Sequence, residues 1–278
     1  MKKLLALVLA LVMTLSLATV SSNAAFKDAK DINETYAEAA EVLAGMGVFK
    51  GYEEKDGTFS FNPKGDITRA EVAAIIYRIY TADVAKNDKS GLYATYNKFS
   101  DMAGAGWAAG YIGYCANAEF VKGYPDGTFK PLGKVTGYEV LAMILRAVGY
   151  DQKGEFTGAG WQLHVAQIAE QQGILDNVKG VDLNAAATRE LVAELLFRAV
   201  QIPMVTYTAA FGYQNVTLDT KADNKLFSKN VSLGYKNFGL IDGEDEDAWG
   251  RPVKVWAKDA DKDGKFNAKK DTTAYAKI

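Results

Sequence analysis

Three stretches of this chain follow one pattern, which limits the folds open to it more than any other feature. Ile67-Thr68-Arg69-Ala70-Glu71-Val72-Ala73-Ala74-Ile75-Ile76-Tyr77-Arg78 aligns with Val135-Thr136-Gly137-Tyr138-Glu139-Val140-Leu141-Ala142-Met143-Ile144-Leu145-Arg146. Both align with Ala187-Thr188-Arg189-Glu190-Leu191-Val192-Ala193-Glu194-Leu195-Leu196-Phe197-Arg198. Each reads as a helix beginning at its Thr, with apolar residues at i, i+3, i+4 and i+7; in the first these are Val72, Ile75, Ile76 and Ile79. A shorter helical pattern precedes each one: Tyr36 to Met46, Trp107 to Ala118 and Trp161 to Gln172. One such helix pair is too small to bury its apolar faces alone, so the pairs must stack on one another. The expected fold is mainly α: a pseudo-threefold three-helix bundle of the long helices, with the shorter ones around it.

The links between helices carry their own chemistry. The second reads Lys122-Gly123-Tyr124-Pro125-Asp126-Gly127-Thr128-Phe129-Lys130-Pro131. Within it Pro presets φ, Asp126 bonds its own backbone and Gly127 supplies a positive φ. The first link is looser, with Lys50-Gly51-Tyr52 and then Asp56-Gly57-Thr58-Phe59, and the third keeps only Val178-Lys179-Gly180-Val181. Each unit opens on a Phe, as Phe26-Lys27-Asp28, Phe99-Ser100-Asp101 and Phe156-Thr157-Gly158. Thr68 with Glu71, and Thr136 with Glu139, have the spacing of a capping box, a structural device. Arg78, Arg146 and Arg198 recur late in each long helix, where they favour its negative end or pair locally.

Phe-x-Asp, Gly123-Tyr124-Pro125-Asp126-Gly127-Thr128-Phe129 and Ile67-Thr68-Arg69-Ala70-Glu71, repeated in this order, resemble the S-layer homology family. The resemblance covers residues 26 to about 201, in repeats at 26–82, 99–150 and a degenerate 156–202. It implies a module that binds secondary cell-wall polysaccharide, often through a pyruvylated amino sugar, in grooves between repeats. A pyruvyl ketal carries a carboxylate, which suits the planar fork of Arg69 and Arg189. An Arg just past the N-cap would also offer free backbone N–H groups and the positive helix end. A surface ion pair is the competing reading of both arginines. Trp107, Trp161 and Tyr124 are candidates to stack on sugar faces, with core anchoring equally open for the two tryptophans. Asp28, Asp101, Lys122, Gly123, Asp126 and Gly127 complete the candidate glycan-binding set. The second unit has Gly137 in the Arg position and the third lacks the Asp-Gly turn, so one or two working grooves are expected.

Composition narrows the function further. Lys2 and Lys3, an apolar run from Leu4 to about Val20, then Ser21 to Ala25 read as a secretory signal peptide over 1–25. The alternative, a membrane anchor, is weakened by Thr14, Ser16 and Thr19. The chain of 278 residues has one cysteine, Cys115, and one histidine, His164. No intramolecular disulfide or multi-His metal site can form, and little room is left for Ser-His-Asp or Cys-His catalysis. Cys115 falls on the buried face of its short helix, and His164 on a solvated one. A formal net charge of −2 gives no electrostatic case for nucleic acid.

From 203 to 278 the texture becomes β-rich, with strand-like runs at Val205–Tyr213, Val216–Leu218, Val231–Tyr235 and Val253–Lys258. This unit reads as a small or incomplete domain. Asp259, Asp261, Asp263, Gly264 and Asn267 have the spacing of a calcium loop, but Lys270 stands where a bidentate Glu belongs. A solvated Asp-Gly turn is the favoured reading, with calcium the alternative and no other cofactor expected. The acidic run Asp242 to Asp247 reads as a solvated loop.

The expected protein is therefore secreted and non-enzymatic. It is held on the outside of a bacterial wall by polysaccharide, with no membrane contact after signal cleavage. The alternatives are a self-associating surface-layer subunit and the anchor of an enzyme whose catalytic part is C-terminal.

Overall fold

A computed structural model of the chain describes residues 26–81, 88–96, 98–216, 238–246 and 252–258. The signal-peptide reading at 1–25, the Val231–Tyr235 strand and the calcium-loop reading at Asp259, Asp261, Asp263 and Asn267 lie outside the described residues.

Six α-helices alternate short and long among the described residues. The short ones are α1 (Ala37–Gly45), α3 (Ala109–Asn117) and α5 (Trp161–Gln171), and the long ones α2 (Arg69–Thr81), α4 (Gly137–Val148) and α6 (Arg189–Ala199). The long helices start where the sequence places them. Thr136 accepts from the Glu139 amide while Glu139 reaches back to the Thr136 amide, a complete capping box. Thr68 and Glu71 form the same reciprocal pair, at 3.2 and 2.8 Å. In the third segment Leu191 replaces the Glu, so Thr188 accepts from the Leu191 amide without a return bond.

The three segments close on one another in a cycle. The Ile67 amide donates to the Ala187 carbonyl at 3.0 Å, Ala187 to Val135 at 2.8 Å, and Val135 back to Ile67 at 3.3 Å. Each short helix packs on the long helix of the preceding segment: α3 on α2, α5 on α4, and α1 on α6. Helix α4 also packs against both α2 and α6. The core between these elements is apolar and dense. Ile76, Leu141, Leu195 and Leu196 are fully buried, each contributing about 1.5–3 kcal/mol by burial alone. Cys115 belongs to this core and donates its thiol to the Ala73 carbonyl at 3.3 Å. Burial pushes its pKa well above the usual thiol range.

The cycle also corrects one expectation. The first amides of the long helices are not free. Arg69 and Ala70 donate to the Gly133 and Pro131 carbonyls, Tyr138 to Leu183, and Arg189 and Glu190 to Gly65 and Pro63. The first two donors of α2 and α6, and Tyr138 of α4, are thus spent on the link of the next segment, leaving no amide cradle for an anion beside Arg69 or Arg189.

After the third segment, β3 (Val205–Thr208) and β4 (Gly212–Asn215) form an antiparallel hairpin. The sequence had suggested one strand from Val205 to Tyr213; the chain instead turns at 209–211, with Gly212 at φ 71°. This hairpin docks on the end of α4. Val205 is buried, and its carbonyl lies where a Cβ on Gly149 would be, 1.9 Å away. A two-residue ladder, β1 (Tyr52–Glu53) with β2 (Phe59–Ser60), closes the first link. Strands β5 (Phe238–Glu246) and β6 (Pro252–Lys258) form another antiparallel pair. Asp242 to Glu246 therefore lie in a strand rather than in the loop expected of an acidic run, because Pro252–Lys258 supplies a pairing partner.

Candidate functional site

The cyclic packing produces two matching side-chain clusters and one that differs. In the second groove Arg69, from the first residue of α2, crosses onto the second link. Its Nε donates to the Phe129 carbonyl at 2.8 Å, one terminal nitrogen to Lys122 at 2.9 Å, and the other to Glu139 Oε1 at 3.1 Å. The guanidinium lies over the Tyr124 and Phe129 rings at 4.6 and 4.7 Å, and the Tyr124 hydroxyl donates to Glu139 at 2.8 Å. In the first groove Arg189 crosses onto the first link in the same way. It donates to the Phe61 and Lys50 carbonyls at 2.8 and 3.1 Å, pairs with Glu71 at 3.6 Å and lies 4.6 Å over Tyr52. The Tyr52 hydroxyl donates to Glu71 at 2.7 Å. Both arginines are only 3% exposed, so these are internal staples between segments and not the surface ion pairs considered from sequence.

The third groove has no such cluster. Gly137 stands in the Arg position, and Leu183 fills the space an Arg would need; a Cβ there would come within 2.7 Å of Leu183 Cδ2. Leu191 replaces the Glu and Val181 stands near the place of the Tyr.

Electrostatics follow from this geometry. Burial pushes the Tyr52 phenol up to about 12, helped by its bond to Glu71 and opposed by Arg189. Burial also raises the Glu71 carboxyl, but Tyr52, Thr68 and Arg189 together outweigh it and hold Glu71 below the usual carboxylate range.

The first groove contains a cavity of about 160 Å³. All three segments reach it: Lys50, Tyr52, Glu71 and Arg78 from the first, Trp107 from the second and Arg189 from the third. Trp107 is 60% exposed and packs edge-on against Tyr111 at 5.8 Å. Arg78 is 7% exposed and donates to the Val48 carbonyl at 3.2 Å, yet its Nε has no hydrogen-bond partner. A buried guanidinium N–H without an acceptor is costly, so this nitrogen marks a place where an acceptor is wanted. From sequence Arg78 had read as structural. What singles it out is an Nε with no acceptor, the nearby Asp88 carboxylate acting on it only through space, which a linear pattern does not carry.

The other sequence candidates sit in distinct roles. The Asp28 carboxylate accepts from the Phe61 and Asn62 amides, both at 2.7 Å, and Asp101 accepts from Phe129 and Lys130 at 2.8 and 2.7 Å. Each ties a segment's opening to the end of its own link; Asp28 also lines a shallow surface depression with Tyr52. Asp126 accepts from Thr128 across the turn, and Gly127 has φ 80°. Gly123 lets Phe99 approach, its missing Cβ lying 2.6 Å from that ring. Lys122 pairs with Asp151 at 3.2 Å. Trp161 is half-buried against the core. His164 is exposed and contacts the Glu155 carbonyl at 2.8 Å through Nδ1. Among the described residues, no group of three His, Cys, Asp or Glu side chains is placed to hold a metal, and no helix is long and apolar enough to cross a membrane.

Comparison with known proteins agrees with this arrangement in two of its parts. The S-layer homology domain matches residues 25–73 and 98–141. The chain is 26% identical to the Middle cell wall protein of Brevibacillus brevis, an alignment covering 95% of this chain and 28% of that protein. It is 26% identical to the Surface layer protein of Brevibacillus choshinensis over 78% of this chain and 22% of that protein. It is 34% identical to the Cellulosome-anchoring protein of Acetivibrio thermocellus over 50% of this chain and 28% of that protein. The chain thus spans about a quarter of the length of these relatives.

Proposed function

We propose that residues 26–202 are three S-layer-homology repeats forming one pseudo-threefold unit. On this reading the unit is a non-covalent anchor that holds a secreted protein on a bacterial wall by binding secondary wall polysaccharide. The acidic group of that polymer, a pyruvylated sugar, enters the first groove. One observation carries the reading: a cavity that combines an unpartnered Arg78 Nε with an exposed Trp107 at its edge. The carboxylate of the ketal accepts from Arg78 and Lys50, while a sugar face covers Trp107. Arg189, Tyr52 and Glu71 line the wall against which the sugar is held. Arg69, Tyr124, Lys122, Gly123, Asp126, Gly127 and Trp161 build the corresponding second groove, and Asp28 and Asp101 fix the links that form both. This reading gives the described residues binding work and no bond-making chemistry. The relatives, named as wall, surface-layer and anchoring proteins, agree with it.

Sedimentation with purified wall polysaccharide tests the proposal. Trp107→Ala is expected to weaken retention roughly thirtyfold, the scale of a Trp at the centre of an interface, with an unchanged melting temperature. Full retention by that variant and by Arg78→Met would overturn the reading. Similarity to a Surface layer protein over 78% of this chain favours a second reading, self-assembly into a surface lattice. Ordered arrays of the purified chain under the electron microscope, formed without polysaccharide, would support it.

A further inference from the structure

The first and second grooves share a cation pair, Lys50 with Arg78 and Lys122 with Arg146, but treat it differently. In the second groove Asp151 Oδ2 accepts from Arg146 Nε at 2.6 Å and from Lys122 Nζ at 3.2 Å, while Oδ1 accepts from the Phe156 amide at 2.7 Å. In the first groove the Asp88 carboxylate acts on Lys50 and Arg78 through space but forms no ion pair with either among the described residues; it accepts from the Tyr111 hydroxyl, and Arg78 Nε is left buried without an acceptor. We propose that Asp151 is a built-in counter-anion that occupies the second groove from within, so that the chain offers one open site for an acidic ligand rather than two. This rests on the reading of the first groove as an acidic-glycan site.

The backbone supports a dedicated placement. Asp151 is a non-glycine residue at φ 68°, a left-handed conformation that surrounding contacts must hold. The β3–β4 hairpin supplies those contacts on the next residue. The Gln152 amide donates to the Tyr213 hydroxyl at 3.1 Å, and the Tyr207 amide donates to Gln152 Oε1 at 3.1 Å. Tyr213 in turn donates to Glu155 at 2.5 Å. The segment after the repeats thus braces the loop that carries the carboxylate. Space is not what closes the second groove. A cavity of about 200 Å³ lies beside Lys122, Arg146 and Asp151; what an incoming carboxylate meets there is a cation pair whose donors are already spent on Asp151.

Isothermal titration of the full chain with a pyruvylated methyl N-acetylhexosaminide tests this. The wild type is expected to bind one equivalent and Asp151→Asn two, since Asn keeps the shape, tolerates the left-handed backbone and still accepts from Phe156. Asp151→Gly, which relieves the backbone and also removes the carboxylate, should give two as well. Two sites in the wild type, or one site in both folded variants, overturns the inference and leaves the first-groove reading standing. No binding by the wild type or either variant overturns both.

Discussion

Arg69→Ala tests whether the buried arginines are staples between segments. The substitution removes a guanidinium that is 3% exposed and bonded to the Phe129 carbonyl, the Lys122 carbonyl and Glu139. Two carbonyls lose their charged donor, and Glu139 keeps only Tyr124 and its capping bond to Thr136. Breaking a buried charged pair by removing one partner costs about 3–5 kcal/mol. For a unit of this size each kcal/mol moves the melting temperature about 2–4 °C, so the loss should be on the order of 6–20 °C. Chemical denaturation monitored by far-ultraviolet circular dichroism gives the free energy directly. Because Arg69 joins the first segment to the second, the variant should also unfold with a lower m-value or in two steps if the segments uncouple. A cost under about 1 kcal/mol with an unchanged m-value would refute the staple and return Arg69 to the class of exposed side chains.

Three further outcomes follow from the same geometry. Gly137→Ala, which in an ordinary helix interior would add about 1 kcal/mol, should instead destabilise, because the new methyl meets Leu183 Cα at 3.1 Å and Cδ2 at 2.7 Å; denaturant titration of the single variant and of a double variant with Leu183→Ala should show partial rescue. Gly149→Ala should release the β3–β4 hairpin, since φ 117° and the Val205 carbonyl both exclude a side chain, and limited proteolysis between 203 and 216 should accelerate while the helical signal persists. Burial raises the Asp151 carboxyl, yet Arg146, the Phe156 amide and Lys122 outweigh it and hold the group below the usual range. Its contribution is therefore complete above the unfolded value near pH ~4 and is lost as pH falls through the folded one; melting curves below pH ~4 should be flatter for Asp151→Asn than for the wild type.

The long helices were legible because their signals are local. Thr68, Thr136 and Thr188 mark the starts, and the apolar spacing after them is read within one helix. The β3–β4 hairpin was legible as β but not as two strands. Val205 to Tyr213 alternates well enough for one, and the turn depends on Gly212 adopting a positive φ. The direction of Arg69 and Arg189 was not legible for a different reason. An Arg at the first helical position looks exposed in any single segment, and becomes buried only when the next segment's link folds over it. The same holds for the helix amides, whose acceptors lie 45 to 127 residues away in sequence. Asp151 follows Val148, Gly149 and Tyr150 in a loop that also carries Glu155, and nothing local says which of the two acids points back to Arg146.

The unequal grooves have a common cause in how a closed cycle uses its parts. Each groove needs a donor residue from one segment and a link from the next, so one substitution alters the face shared by two segments. Gly137 removes the Arg of the second segment, and the gap is taken by Leu183 of the third, whose link has lost its Tyr and its Asp-Gly turn. The third groove therefore serves as core, and its apolar filling helps hold α4 against α6. The second keeps the full Arg69–Glu139–Tyr124 cluster but spends its cation pair on Asp151. The first combines that cluster with an Arg78 Nε that has no acceptor and an exposed indole. Two of the three joints are thus committed to holding the unit together, and on the proposed reading recognition falls to the first.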